Sequence, residues 1–338
     1  MNKKKRVSSI DVAKEAGVSR TTVSYVLNNV EGVKLKEETR QRVWEAAKKL
    51  GYFPNHTAQA LKTNKSMSIG IVSRRKIDEH RFVHIIGGIH PILAKEGYNL
   101  LFCSDDKDDE GIPNYYRLYK SKKIDGIIFI SYQEEIKYED VERRVKLAYD
   151  EQIPCVFVDY HVQNPQVNCV DINYFQGAYV MTEHLIKKGH KSIALLIPDR
   201  DTQQEKQRLN GVKKAVEMNP GVELAIYQAA NIKDLQSIID NILEERKITA
   251  IITAWIHLAF NVLYAANSKG MKMPDEIAVA ALANNGFENM SYPRLTTCDL
   301  SLHELGRAAG ELLLDTLENP MKHKNLMIDC KVVERETT

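Results

Sequence analysis

The 338-residue sequence predicts an all-α helix-turn-helix head followed by an α/β body of two doubly wound parallel-sheet lobes. Three observations predict it. Residues 1–61 hold three short segments with apolar side chains three and four apart and no strand pattern. From residue 69 onward, short β-rich runs alternate with amphipathic helical stretches. Charge is divided as well: residues 1–66 hold 14 Lys/Arg and 6 Asp/Glu, a net +8, which leaves −6 on the rest of a chain whose total is +2. A basic head on an acidic body points to a polyanionic partner for the head alone.

The first helix is read in "SSIDVAKEAG", residues 8–17. Ile10, Val12, Ala13 and Ala16 supply its apolar positions, Ser8 with Asp11 resembles a capping box, and Gly17 suits a C-terminal stop. The second lies in "SRTTVSYVLNN", with Ser19 as N-cap and Val23, Val26 and Leu27 on one face. The third lies in "KEETRQRVWEAAKKLG", with Val43, Ala46, Ala47 and Leu50 inward and Gly51 at its end. A turn around Gly17 and Val18 makes the first two helices a helix-turn-helix unit with the third as platform. Arg20, Thr21, Ser24 and Tyr25 then occupy the outer face of the second helix. An α-helix fits the major groove of B-DNA, where arginine grips guanine and threonine meets a thymine methyl, while surrounding Lys and Arg neutralise phosphates. The segment "PNHTAQALK", residues 54–62, is too short to hold a helix alone in water.

These residues resemble the LacI/GalR family of bacterial transcription regulators. "IDVAKEAGVSRTTVSYVLNN", "ETRQRV" and "LGYFPNHTAQAL" stand in that family's order and spacing. The resemblance implies DNA contacts from Ser19, Arg20, Thr21, Thr22, Ser24, Tyr25 and Asn28. It also implies a hinge helix over about 54–62 that orders when two subunits sit together on DNA. Leu61 matches the leucine that the family wedges into the minor groove, and Asn55 and Ala58 match positions at the same contact. The chain departs from the family at Tyr25, where arginine is usual, and at Lys36, where a serine cap is usual; both departures bear on the operator sequence.

After a polar linker at 62–68, the body at 69–338 carries strand-like runs: "IGIV", "YNLLFCS", "DGIIFIS", "IPCVFVD", "NCVDIN", "SIALLIP", "LAIY", "AIIT" and "EIAVAAL". Helical patterns at 82–96, 174–188, 203–218 and 301–318 lie between and after them. So many strands favour two lobes with a cleft over one open sheet. "DINYFQGAYVMTEHLIKKGHKSIALL" and "QRLNGVKKAV" extend the family resemblance here. It implies two lobes of the type I periplasmic-binding-protein kind, joined by three crossovers placed near residues 159–161, 284–291 and 319–323. It also implies an effector in the interlobe cleft, with Arg208 gripping it, Asp159 at an acidic position and Phe82 stacking on it. Trp255 and Ile256 stand where the family commonly has a polar pair, and Ala283 where it has Asp. Two groups that read sugar hydroxyls are therefore missing, while Trp255 suits a sugar face or a planar ligand. The expected effector is a small metabolite with an anionic or polar group for Arg208, carbohydrates included.

Several classes are set aside. No apolar run approaches the roughly 18 residues of a membrane span, and the basic start "MNKKKRVSS" has no apolar stretch behind it. The five cysteines are odd in number and mostly lie in apolar runs, which reads as free thiols in a cytoplasmic protein. His80 and His84 lie four apart without a third ligand, and read as surface histidines and not as a metal site. "SDDKDDEG" lacks the order of a calcium loop and reads as a solvated turn. No nucleophile elbow, phosphate loop or dinucleotide fingerprint is present, so no enzyme activity and no cofactor are expected. The expected function is a ligand-responsive regulator, acting as a repressor and homodimer on a near-palindromic operator in double-stranded DNA. The alternatives are catabolite control through a phosphorylated protein corepressor, or a solute-binding receptor sharing the body's fold.

Overall fold

The computed structural model describes the chain apart from residues 1–6, 28–31, 54–64, 74–78, 131–137, 162–163, 165, 230–231, 246 and 321–322; the side chains of 138–140 and 232–233 are also outside it. Asn28, Asn55, Ala58 and Leu61 thus lie outside the described residues. Contacts divide the chain into two compact units, Met1–Ser66 and Met67–Thr338.

The head has α1 (Ser9–Ala16), α2 (Arg20–Leu27) and α3 (Glu37–Leu50). Their ends are set locally. The Ser8 amide and hydroxyl both donate to the Asp11 carboxylate, at 2.9 and 2.6 Å, and Ser19 Oγ accepts from the Thr22 amide at 3.0 Å. Gly17 and Gly51 close α1 and α3 at φ 63 and 62, where a side chain would be strained. The three helices share a core of small apolar residues: Val12, Ala13, Ala16, Val23, Val26, Val43, Ala46 and Ala47. Ile10 is a correction, being 50% exposed. In an eight-residue helix the buried stripe is filled by Val12, Ala13 and Ala16, and Ile10 falls beside it.

The body is built from β1 (Ser68–Ser73), α4 (His80–Lys95), β2 (Asn99–Cys103), α5 (Asn114–Lys120), β3 (Gly126–Ile130), α6 (Tyr138–Asp150), β4 (Cys155–Val158) and β5 (Asn168–Ile172). There follow α7 (Tyr174–Lys187), β6 (Ser192–Pro198), α8 (Gln203–Glu217), β7 (Glu223–Ala229), α9 (Ile232–Glu244), β8 (Ala250–Thr253), α10 (Ile256–Ser268) and β9 (Ala278–Ala281). The chain ends with β10 (Thr296–Asp299), α11 (Leu302–Glu318), β11 (Asn325–Ile328) and β12 (Lys331–Val333). One six-stranded sheet runs β11-β5-β4-β3-β1-β2, all parallel; the other runs β12-β10-β9-β8-β6-β7, parallel except for β12 against β10. Strand order reverses beside β1 in the first sheet and beside β6 in the second. Ligands of open α/β sheets bind at such switch points, outside the carboxyl ends of the strands. The central strands are buried end to end, as sheets covered on both faces require.

Close helix approaches stiffen the lobes. A Cβ on Gly88 of α4 would lie 2.1 Å from the His303 carbonyl oxygen, and one on Gly306 of α11 would lie 2.0 Å from that of Ile85. Both obstacles are backbone. Gly306→Ala is therefore expected to lower the unfolding free energy by about 1–3 kcal/mol through overpacking; an unchanged urea midpoint would contradict this packing.

The crossovers are a second correction. Residues 159–161 connect β4 to β5 within the first sheet, 284–291 connect β9 to β10 within the second, and 319–323 lead from α11 to β11 of the first. The chain instead changes sheets at Asn173, at Leu300–Ser301 and at Asp329–Cys330. The second and third displacements arise because β10, β11 and β12, of four, four and three residues, escaped the strand reading, and the first because β5 pairs with β4 in the same sheet. The three crossovers are tied together: Asn173 Nδ2 donates to Asp329 Oδ1 at 2.8 Å, and Ser301 Oγ to the Asp329 carbonyl at 3.3 Å. The five cysteines are free and buried.

Candidate functional site

In the head, α2 follows a tight turn, and its residues divide by task. Val23 and Val26 face the core, Arg20 and Thr21 are exposed, and Thr22, Ser24 and Tyr25 are half-buried. Ser19 and Thr22 are bonded hydroxyl to hydroxyl at 2.9 Å, so both serve the cap that starts the helix. Arg20 Nε donates to Ser9 Oγ at 3.2 Å, fixing its stem against α1. Lys36 occupies the N-cap of α3 without a side-chain capping bond, consistent with the lost serine. The result is a short, capped helix displaying a guanidinium and hydroxyls to solvent, a form suited to base edges and phosphates.

In the body, a cavity of about 180 Å³ lies between the lobes. His80 and Arg81 reach it from the start of α4, Gln204 and Arg208 from α8, Trp255, Ile256 and His257 from the start of α10, and Ala283 to Asn285 from the loop after β9. These positions follow strand carboxyl ends, where the two switch points meet. Asp159, just past β4, is 1% exposed and accepts from Arg81, from Tyr174 Oη at 3.0 Å and from Gln204 Nε2 at 3.0 Å. Arg208, 3% exposed, donates Nη1 to Glu205 Oε1 at 2.9 Å and stacks over the Tyr174 ring at 4.7 Å. The same Glu205 oxygen accepts from Trp255 Nε1 at 2.6 Å. Arg200 lies over the Trp255 ring at 5.0 Å. Gln204 and Gln207 of one lobe bond Asp159 and His161 of the other, so the cleft is latched across its floor.

Arg208 and Trp255 line one cavity with Ile256 and Ala283, and Asp159 lies behind it, bonded to the wall residues Arg81 and Gln204. Phe82 is not: it is 2% exposed in the core of the first lobe, against Phe102 at 5.9 Å. Its neighbour on α4, Arg81, faces the cleft instead, since adjacent helical residues point about 100° apart. His80 is also a correction, because it is half-buried on the cavity wall, ring to ring with exposed His84 at 4.1 Å. Among the described residues no group of three or more metal-type ligands converges. Asp105 of the acidic loop is not solvated either; it pairs with buried Arg144, which also donates to Tyr160 Oη at 2.6 Å.

Sequence reasoning missed Arg81, Tyr174, Gln204 and Glu205. Gln204 and Glu205 sit in the polar run "QQEKQR", which reads as a solvated helix face. Their placement three and four residues before Arg208, on its face of the helix, was the available signal.

Two non-glycine residues near the latch adopt left-handed backbone, Asp159 at φ 60 and His161 at φ 53. Asp and His tolerate this region better than most residues. Burial pushes the His161 imidazole down, but Asp159 at 3.3 Å and Asp171 outweigh it and hold it above its ordinary value of 6.5. A raised folded value stabilises fully below the unfolded one and is lost as pH rises through the folded one. His161→Asn is therefore expected to destabilise more at pH 6 than at pH 9, by thermal unfolding of both proteins across that range; a pH-independent difference would contradict the assigned charge.

Two family models match the chain. Bacterial regulatory proteins, lacI family, matches residues 10–55, and a periplasmic binding protein-like domain matches residues 182–338. The chain is 29% identical over 336 residues to the HTH-type transcriptional regulator RegA of Clostridium saccharobutylicum, covering 97% of this chain and 98% of that one. It is 30% identical over 334 residues to the HTH-type transcriptional repressor PurR of Histophilus somni, covering 97% of each. Among solved structures, the Lac repressor bound to ONPG in the repressed state superposes with a TM-score of 0.79 at 25% identity, over 99% of this chain and 100% of that one.

Proposed function

Because the chain belongs to the lacI family of bacterial regulatory proteins, we propose that this regulator of transcription is a dimeric repressor that binds a near-palindromic operator and releases or tightens it when a small molecule occupies the interlobe cleft. The observation that carries the proposal is the pairing, in one chain, of a capped α2 displaying Arg20 and Thr21 with a cavity walled by Arg81, Arg208 and Trp255. The +8 charge of residues 1–66 supports phosphate binding by the head, and the acidic remainder keeps the body off the duplex. A body of this fold would serve a solute receptor equally well; the head argues for the regulator.

Exposed apolar side chains support the dimer. Val83 of α4 and Phe102 of edge strand β2 are each 51% exposed, and Tyr264, Met290 and Tyr292 of the other lobe are 73%, 78% and 89% exposed. Exposed apolar side chains, where they join into a patch, commonly mark contact surfaces. No helix among the described residues is long and apolar enough to cross a membrane, in keeping with action on DNA in the cytoplasm. The three tied crossovers supply the hinge, and ligand contacts to both lobes would select one arrangement of them.

The test is operator selection from the organism's own promoter fragments, followed by Leu61→Ala. Leu61 matches by resemblance the leucine that the family wedges into the minor groove, which supports this role for it, and a wedge there acts only where the duplex is kinked. Its truncation is expected to weaken specific binding by about tenfold or more while leaving non-specific binding within about twofold. Equal losses on both duplexes would sink the wedge role.

A further inference from the structure

We propose that Glu205 sets the charge class of the cleft's ligand: by neutralising Arg208 from behind the cavity wall, it makes the cleft a site for an uncharged, hydrogen-bonding molecule and turns away phosphate esters and other anions. The proposal rests on the cleft being the effector site.

The charges pair off. Glu205 is 3% exposed and holds two wall residues through one oxygen: Arg208 at 2.9 Å and the Trp255 indole at 2.6 Å. Arg81 is held in the same way by Asp159, which is 1% exposed. Two arginines against two carboxylates leave a formal sum of zero. The next rank adds His161 beside Asp159 at 3.3 Å, with Asp171 as its further carboxylate, and Arg335 against Glu288 at 3.7 Å. Arg200 is exposed, flanked by Asp199 and Asp201, and its charge is screened by solvent.

An anion entering this cleft finds neither Arg81 nor Arg208 without its own carboxylate. To reach Arg208 it must displace Glu205, stranding a buried carboxylate away from its cation, and the loss of such a partner is strongly unfavourable. An uncharged ligand displaces nothing. Glu205 Oε2, Arg208 Nε and Arg81 Nε are buried without partners, and Gln204, Asn284 and Asn285 add amides to the wall. Side-chain amides, which both donate and accept, beside guanidinium donors in a neutral setting suit a ligand that gives and takes hydrogen bonds, with Trp255 beside them for an apolar face. Glu205 is thus a positioning residue that acts through Arg208 and Trp255.

The experiment uses the full-length protein, with inorganic phosphate as the anion probe at constant ionic strength, read by thermal shift and calorimetry. Wild type is expected to show no phosphate-dependent stabilisation. Glu205→Gln keeps a carbonyl oxygen for Trp255 and removes the charge, so it is expected to bind phosphate at least tenfold more tightly than wild type. Glu205→Asp should restore rejection, and adding Arg208→Met to Glu205→Gln should abolish the gain. Phosphate binding to wild type as tight as to Glu205→Gln, or no gain in a folded Glu205→Gln, overturns the proposal. If Glu205→Gln does not fold, sugars and their phosphate esters are compared on wild type: an ester that binds more tightly than its parent overturns it, and the reverse order supports it. A cleft that is not the effector site would show separately, as failure of any uncharged metabolite to shift the wild type while the phosphate measurements still report on Glu205.

Discussion

Removal of residues 1–66 is expected to abolish operator binding and to leave a folded body. The division of contacts at Met67 separates two units, each with its own buried core, so the cut crosses no packed element of the body. It also removes 14 of the 47 Lys/Arg residues and leaves a fragment of net charge −6. Neutralisation of phosphates supplies most non-specific affinity, so even that should fall by several orders of magnitude, not merely sequence preference. The remaining fragment should keep cooperative unfolding and the dimeric state of the full chain, because Val83, Phe102, Tyr264, Met290 and Tyr292 all lie in the body. Tight duplex binding by residues 67–338 would count against the assignment of the head.

Replacement of Arg208 is expected to have the second largest effect. Arg208→Ala should eliminate the response to effector, with at least about 100-fold loss of ligand affinity, while operator affinity stays near wild type. The same substitution strands Glu205, whose carboxylate is then buried beside Trp255 alone. Breaking a buried pair by removing one member typically costs about 3–5 kcal/mol, while removing both costs far less. Arg208→Ala with Glu205→Ala should therefore recover much of the lost stability without recovering the response. A folded Arg208→Ala protein with unchanged ligand response would rule the residue out.

The parts legible in the sequence were those with local causes. Capping chemistry at Ser8 and Ser19, glycine at residues 17 and 51, and 3.6-residue spacing delimit three helices without reference to the rest of the chain. Long apolar runs such as "GIIFI" and "IALLI" announce buried strands in the same way. What stayed hidden depends on distant partners. A three-residue strand such as β12 is a strand because β10 pairs with it, and the crossovers could not be placed without knowing to which sheet each short strand belongs. Around the cleft, resemblance singled out Asp159 and Arg208 but carried no sign of what neutralises them. Arg81 and Glu205 look like ordinary surface charges until folding buries them against those two residues.

The most direct measurement is equilibrium binding of the full-length protein to promoter fragments of its own genome and to random duplex of equal length, near physiological ionic strength, with and without cell extract. The account predicts that at least one natural fragment binds on the order of 10³-fold or more tightly than random duplex, and that extract changes this ratio. Equal affinity for every duplex under both conditions would contradict it.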